Sequence, residues 1–295
     1  MAATPRDSSS VILVKSDNEG ARVLLVRRHV DLAFAGGAWV FPGGKLEASD
    51  TSAQALRQLG LGDAPAETAG QIVCACRETF EETSIVLAQR PNGAFCDASL
   101  ADSLQQFRAG VSRDPGSFAA LLTDHDLKID ARRFLFWSRW ITPSLMPKRF
   151  DTRFFVAEMP PGQTVRCDSD EVTELLWLAL PSDGGLLDES LIQAPPTRFS
   201  VGDLAFCLRK HGSVDQLMQR ERTRVISPIM PKILRTGTQA WALLPWDPEY
   251  TSTSGEGTPN AHIPAQYLDF PSRVEPPTFL KERRPTSTPS GQMPH

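Results

Sequence analysis

No stretch of this 295-residue chain comes near the roughly 18–20 uninterrupted apolar residues that a membrane-spanning helix needs, so no membrane partner is expected. The opening "MAATPRDSSS" has neither the basic start nor the apolar run of a secretory signal, which makes the cytoplasm the expected compartment. Positive charge is also scarce: 31 Lys and Arg stand against 35 Asp and Glu, for a formal net charge of -4. Without a broad basic field, nucleic acid is not an expected partner. Cysteines are few and unpaired. Cys74, Cys76, Cys96, Cys167 and Cys207 form an odd set with no C-x-x-C spacing, which argues against a disulfide framework and against a zinc knuckle. They are expected to be buried thiols. His29, His125, His211, His262 and His295 show no paired spacing, so nothing points to a histidine-activated nucleophile.

Two nucleotide-binding motifs are missing as well. "PGGK" at 42–45 invites a P-loop reading, but Trp39 occupies the required upstream glycine position and Leu46 the required Ser or Thr. A G-x-G-x-x-G fingerprint is absent.

What remains is a chain with 41% hydrophobic residues, enough for a sizeable core. "VILVK" (11–15) and "RVLLVRR" (22–28), separated by the turn-forming "SDNEG", predict a β-hairpin after a flexible start at 1–9. A short strand, Trp39 to Phe41, lies between the glycine pairs 36–37 and 43–44. From 69 to 83 the period becomes helical: Ala69, Ile72, Val73, Cys76, Phe80 and Thr83 share one face and the acidic residues the other. "SIVLAQ" (84–89) is expected to be a strand, and 99–124 helices interrupted at "RDPGS". "RFLFWSRWITP" and "RFDTRFFVAEM" predict neighbouring strands, and "EVTELLWLAL" a third that enters a helix after Pro181. One helix is expected over 201–222 and a strand at "TQAWALLP", so that 196–248 forms an extension packed on a domain spanning 10–195. The Pro/Ser/Thr-rich tail, 249–295, is expected to be partly extended or disordered.

The chemistry concentrates in "CACRETFEET". Glu78, Glu81 and Glu82 stand at i, i+3 and i+4 of a helix, so they project together and repel unless a cation sits among them. Magnesium or manganese, hard ions that prefer carboxylate oxygen, suits such a set. Arg77 is placed to hold a carboxylate bidentately, and Lys45 to meet a phosphate oxygen.

"GGKLEASD" and "RETFEETSI" together resemble the two halves of a Nudix box. Gly44 stands as its first glycine, Asp50 as its first acid, Arg77 and Glu78 as its Arg-Glu, Glu81 and Glu82 as its Glu-Glu, and Ile85 as its closing aliphatic residue. Three departures mark this copy. Residues 51–76 fill a gap of twenty-six positions where the family pattern has seven, Thr79 replaces an aliphatic residue, and Ser84 replaces the glycine. The inserted segment, about 51–69, is expected to be extruded as a surface loop. Ser84 would cost on the order of 1 kcal/mol if its backbone is left-handed.

The resemblance implies an α+β fold, a Nudix-type α/β/α sandwich around a mixed sheet, carrying a C-terminal extension. It implies a hydrolase for nucleoside diphosphates linked to another group, using Mg²⁺ or Mn²⁺, with Glu78, Glu81 and Glu82 on the metal, Glu78, Glu81 and Arg77 catalytic, and Gly44 and Lys45 on the substrate. The split box and the "WITP…KRFDTRFF" region resemble the branch containing coenzyme A and acyl-coenzyme A diphosphatases, whose products are adenosine 3′,5′-bisphosphate and (acyl-)phosphopantetheine. ADP-ribose, NADH or nucleoside triphosphates are alternative substrates, and a non-catalytic nucleotide-sensing module is the alternative role. Family members often recruit a further acid from outside the box; Glu158, Asp170, Glu171 and Glu174 are the candidates. Arg149 and Arg153 are candidates to reach an anionic substrate. The expected partner is a nucleotide-containing small molecule, with a homodimer left open.

Overall fold

A computed structural model describes residues 3–18, 20–32, 35–167, 171–182, 185–187, 191, 194–236, 239–258 and 265–274. The expected hairpin is present as β1 (Arg6–Asp17) and β2 (Gly20–Arg28), paired antiparallel from Val14↔Val23 to Asp17↔Gly20. Two short strands follow, β3 (Trp39–Val40) and β4 (Gly43–Lys45), then the helices α1 (Ala53–Gln58) and α2 (Ala66–Thr83). Three small helices, α3 (Ala98–Leu104), α4 (Arg108–Arg113) and α5 (Ser117–Asp124), lead to β5 (Leu135–Ile141), β6 (Phe150–Glu158) and β7 (Val172–Ala179). The remainder comprises α6 (Pro195–His211), α7 (Val214–Arg220), β8 (Pro228–Ile229), β9 (Lys232–Thr236), β10 (Gln239–Leu243) and β11 (Arg273–Val274).

The main sheet runs β3-β2-β1-β6-β5-β8, with β4 also on β1 and β7 also on β2. It is mixed: β1 is parallel to β6 and β5 to β8, while β5 and β6 are antiparallel. Both faces of β1 are covered, which explains why its middle reads as an unbroken apolar run. Val11 and Leu13 pack under α2 in one core, and Ile12 and Val14 under α6 in the other. This is the α/β/α sandwich expected. Strand β9–β10–β11 forms a small second sheet, and β8 joins the extension directly to β5.

Several expectations change. The start is not flexible from residue 6 onward: Arg6 to Ser10 pair with Phe150 to Phe154 on one side, and Ser8 to Ser10 with β4 on the other, which draws a polar segment into the sheet. "SIVLAQ" is no strand; at Gln89 it makes only isolated bridges. Its backbone is satisfied otherwise, since Val86 N donates to Gln163 Oε1 (2.9 Å) and Gln163 Nε2 donates to Val86 O (3.2 Å). After Pro181, residues 182 and 185–187 are not helical, and the next helix among the described residues starts at Pro195. The single helix expected over 201–222 is two, because Gly212 (φ +87°) ends α6 and the Ser213 Oγ accepts from Gln216 N to start α7. Four cysteines are buried thiols, but Cys167 is exposed. In the stretch read as a tail, residues 265–269 form a 3₁₀ turn and β11 pairs with β10; residues 275–295 lie outside the described residues.

Helix α2 ends at Ser84, whose φ of 66° is left-handed, with its N–H donated to Phe80 O. Its buried hydroxyl has no hydrogen-bond partner. Ser84→Gly relieves both, and is expected to stabilise the protein by about 1 kcal/mol, read in a melting curve as a rise of about 2–4 °C. An unchanged or lowered midpoint would contradict this account of the helix end.

Candidate active site

Strand β4 lies along the C-terminal half of α2, and that contact assembles the acidic cluster. Gly43 N donates to Glu82 Oε2 at 3.0 Å. A Cβ built at Gly44 would sit 2.3 Å from the Glu78 carboxyl carbon, so only glycine lets that carboxylate stand against the strand. Gly44, read from sequence as a substrate contact, thus also has a neighbour that the sequence did not assign.

Arg77 organises the rest. Its side chain is buried, and its Nε and Nη2 hold Asp50 Oδ1 and Oδ2 bidentately at 2.9 Å each. Nη2 also donates to Lys45 O (2.9 Å), while Nη1 donates to Glu78 Oε1 (2.9 Å) and Glu81 Oε1 (2.8 Å). Asp50 Oδ2 accepts from Glu47 N as well, at 2.9 Å, closing a capping box on the turn at 48–51. The two halves of the box therefore meet despite the inserted segment, which is not the extruded surface loop expected: it forms α1 and the first turn of α2, and buries Leu56, Leu59 and Leu61 in the core. The far side of α2 carries Ile72, Val73, Cys76 and Phe80 into the core, as expected. The acidic side is buried too, with Glu82 only 4% exposed, because the glycine strand covers it.

Burial first, and neighbouring carboxylates second, raise the pKa values of all three glutamates. Glu78 is pushed up to about 7, chiefly by burial, with Arg77 opposing and Glu81 and Glu171 adding to the rise. Glu82 is pushed up to about 8 by burial and by Glu78, against Arg28 and the Gly43 N–H. Glu81 is raised by burial and held back by Arg77. Burial works against the Arg77 charge, but Asp50 and Glu78 more than offset it and raise its pKa. The Cys74 thiol, beside this cluster, is raised well above its usual value by burial, Asp50 and Glu78, which keeps it unreactive.

A raised carboxylate binds its proton more tightly folded than unfolded, so folding favours the protonated form. The stabilising contribution is whole below the unfolded value of 4.5 and disappears as pH rises through about 7 and 8 for Glu78 and Glu82. The metal-free protein should therefore melt lower at pH 8.5 than at pH 5.5. Adding Mg²⁺ should restore the midpoint chiefly at the higher pH, where the cation meets no competing protons. A midpoint insensitive to Mg²⁺ at both values would contradict the electrostatics described.

Among the described residues, no three His, Cys, Asp or Glu side chains converge closely enough to hold a metal ion as they stand. Glu78 and Glu81 turn towards Arg77 Nη1 and Glu82 towards Gly43 N. The cluster opens onto a cleft of about 590 Å³ that Glu78, Glu81, Glu82, Gly44, Lys45 and Arg28 line. Lys45 lies at its exposed rim, with Nζ 3.0 Å from Glu47 Oε1.

Of the acids outside the box, Glu171 reaches the cleft. It is held there because β7 pairs with β2 and His29 N donates to Glu171 O (2.8 Å). Glu174 instead pairs with Arg27 at 2.6 Å, Glu158 does not line the cleft, and Asp170 lies outside the described residues. Arg149 and Arg153 do not line it either: Arg149 bonds Ala3 O and Glu256, and Arg153 bonds Asp7 and Glu67. Sequence reasoning missed Arg28, Ser8, Ser10 and Ser112, which no local pattern marks because strand pairing and loop packing bring them in.

The family model described as NUDT19 Nudix domain matches residues 57–204, and the NUDIX domain model matches residues 5–58. The chain belongs to the Nudix hydrolase family. Among similar proteins, this Nudix hydrolase is 30% identical over 282 residues to the acyl-coenzyme A diphosphatase NUDT19 of Homo sapiens, covering 80% of this chain and 74% of the relative. It is 32% identical over 206 residues to the protein of the same name from Gallus gallus, covering 54% of each. A solved NUDIX hydrolase from Alicyclobacillus acidocaldarius shares the fold, with a TM-score of 0.57 at 24% identity, covering 74% of this chain and 96% of that one. Membership carries with it hydrolysis of nucleotide-linked small molecules and the use of a divalent cation. Among the described residues no helix is long and apolar enough to cross a membrane.

Proposed function

We propose that this Nudix hydrolase cleaves the diphosphate bond of coenzyme A or an acyl-coenzyme A, giving adenosine 3′,5′-bisphosphate and (acyl-)phosphopantetheine with Mg²⁺ or Mn²⁺. The observation that carries the chemistry is the carboxylate cluster of buried Glu82 and largely buried Glu78 and Glu81 at the head of a cleft. The substrate reading is supported by the human relative named acyl-coenzyme A diphosphatase, of whose length 74% is covered.

The residues fit a divalent cation. Their donors are hard carboxylate oxygens, Gly44 leaves room for the Glu78 carboxylate, and burial together with mutual repulsion raises Glu78 and Glu82, a cost that a cation among them would offset. When bound, the cation neutralises the diphosphate and acidifies a water. Glu78, Glu81 and Glu82 would hold it, with Glu78 and Glu81 exchanging Arg77 Nη1 contacts for the ion. Arg77 would remain anchored by Asp50 and Lys45 O, fixing the helix against the glycine strand.

The chain's own groups then direct the reaction. Water attacks one phosphorus, the bond from that phosphorus to the bridging oxygen breaks, and the bridging oxygen leaves on the second phosphate. A carboxylate of the cluster takes the water's proton, and Glu171, on the same cleft, is the acid outside the box that joins it. Lys45 and Arg28 meet the phosphate oxygens.

A substrate panel tests this reading: coenzyme A, acetyl-coenzyme A, ADP-ribose, NADH and ATP, each with Mg²⁺ and with products separated chromatographically. The coenzyme A compounds should exceed the others in kcat/KM by tenfold or more. Better turnover of ADP-ribose, NADH or ATP would overturn the substrate, and turnover of none would favour a nucleotide-sensing module.

A further inference from the structure

Period-two alternation puts Ser8, Ser10, Ile12 and Val14 of β1 on one face, beside Phe150, Thr152, Phe154 and Val156 of β6. Ile12, Val14, Phe154 and Val156 belong to the core under α6, while Ser8, Ser10 and Thr152 line the cleft. The change from branched aliphatics to small hydroxyls is what leaves space where the core would otherwise continue. Two of those hydroxyls are engaged with each other, Ser8 Oγ and Thr152 Oγ1 being hydrogen-bonded at 2.6 Å, and none of the three carries a charge.

Beside these hydroxyls the cleft extends as an arm whose lining, Thr142, Lys148 and Thr197 aside, is apolar and comes largely from outside the catalytic segments. Trp140 and Pro143 belong to β5 and its exit, Pro195 and Pro196 to the start of α6, and Ile233 and Ala242 to β9 and β10. A helix N-terminus facing a cleft ordinarily offers N–H groups to an anion. Here the first two helical positions are both proline, which removes two of those donors and presents ring carbons in their place.

The geometry points to this arm as the seat of the acyl-pantetheine end of the substrate, so that the segment from Pro195 onward sets the preference for acyl chain length. This inference rests on the coenzyme A reading above. A flexible apolar chain suits the arm because the walls offer it contact area, while the acidic head of the cleft, with Arg28 and Lys45 beside it, is the part that suits the diphosphate.

The test measures kcat/KM for coenzyme A and its acetyl, hexanoyl and dodecanoyl thioesters with the wild type, Ile233→Trp and Ile233→Ala. Ile233 is half-buried in the small sheet, so both side chains can be accommodated, and a melting curve verifies folding. Calorimetric titration with dodecanoyl-pantetheine, which has no diphosphate, reads the arm without turnover. The wild type should favour longer chains. Ile233→Trp should lower the dodecanoyl-to-free ratio about tenfold, as expected for losing contact with two methylenes, and weaken dodecanoyl-pantetheine similarly. Ile233→Ala should move the optimum to a longer chain.

An unchanged chain-length profile in both variants, with free coenzyme A still hydrolysed, overturns the inference alone. So does an Ile233→Trp defect that disappears with dephospho-coenzyme A, which would put the nucleotide end in this arm. If the wild type hydrolyses no coenzyme A compound, the reading beneath the inference fails. Weakened dodecanoyl-pantetheine binding in Ile233→Trp would still support the arm itself.

Discussion

Glu82→Gln is expected to lower kcat on coenzyme A by about 10³-fold while leaving the protein folded and, at alkaline pH, more stable than the wild type. The amide keeps the shape of the carboxylate and its acceptor oxygen, so the 3.0 Å bond from Gly43 N survives. What it loses is the charge that a cation needs. The stability change follows from the sign of the titration. Glu82, raised from 4.5 to about 8 by burial and by Glu78, costs the wild type stability as it ionises between those values. The slope is up to about 1.4 kcal/mol per pH unit, and the glutamine has no such loss. A metal-free variant should therefore match the wild type near pH 5 and exceed it near pH 9. Parallel rate and melting measurements check both halves. Full activity in Glu82→Gln would remove Glu82 from the metal set, and a variant less stable at pH 9 would show that the charge is already balanced.

The opposite pattern is expected at Arg77. Arg77→Met should destabilise the protein by about 3–5 kcal/mol, because Asp50, 1% exposed, would be left buried and charged beside Glu78 and Glu81. Arg77→Lys should recover only part of this, since one ammonium cannot span both Asp50 oxygens, Lys45 O and the two glutamates. Asp50→Asn in the Met background should restore stability relative to Arg77→Met alone, giving a coupling energy that urea denaturation can read. A cost below about 1 kcal/mol for Arg77→Met would contradict the view that this guanidinium joins the separated halves of the box.

The helix bearing these groups was legible because two signals agree there: an apolar stripe at helical spacing and three acids on its other side. The hairpin was legible for a similar reason, since two apolar runs rich in β-branched residues flank a turn sequence. "SIVLAQ" misled because an apolar run says that a segment is buried without saying what satisfies its backbone; here Gln163, 77 residues from Val86, takes that role. A departure in the motif, a rarer kind of information than propensity, singled out Ser84 as a position where a left-handed backbone would be costly, and the backbone there is left-handed. Glu171 was one of four candidates that sequence could not rank. Its selection depends on the β2–β7 register near Arg28, which shifts between Arg27 and Arg28. The cleft's apolar walls were invisible for the same reason: Trp140, Pro195 and Ile233 are far apart in the chain and meet only through folding.

If the Glu78, Glu81 and Glu82 cluster supports cation-dependent hydrolysis of a coenzyme A diphosphate, turnover requires the cation and yields two defined products. The most direct measurement incubates the wild type with coenzyme A and identifies the products by mass, with Mg²⁺ and with excess chelator. Equal amounts of adenosine 3′,5′-bisphosphate and phosphopantetheine are expected with Mg²⁺, and neither with the chelator. Intact coenzyme A and acyl-coenzyme A under every divalent cation tried, or equal product formation in the presence of the chelator, would contradict that role of the cluster.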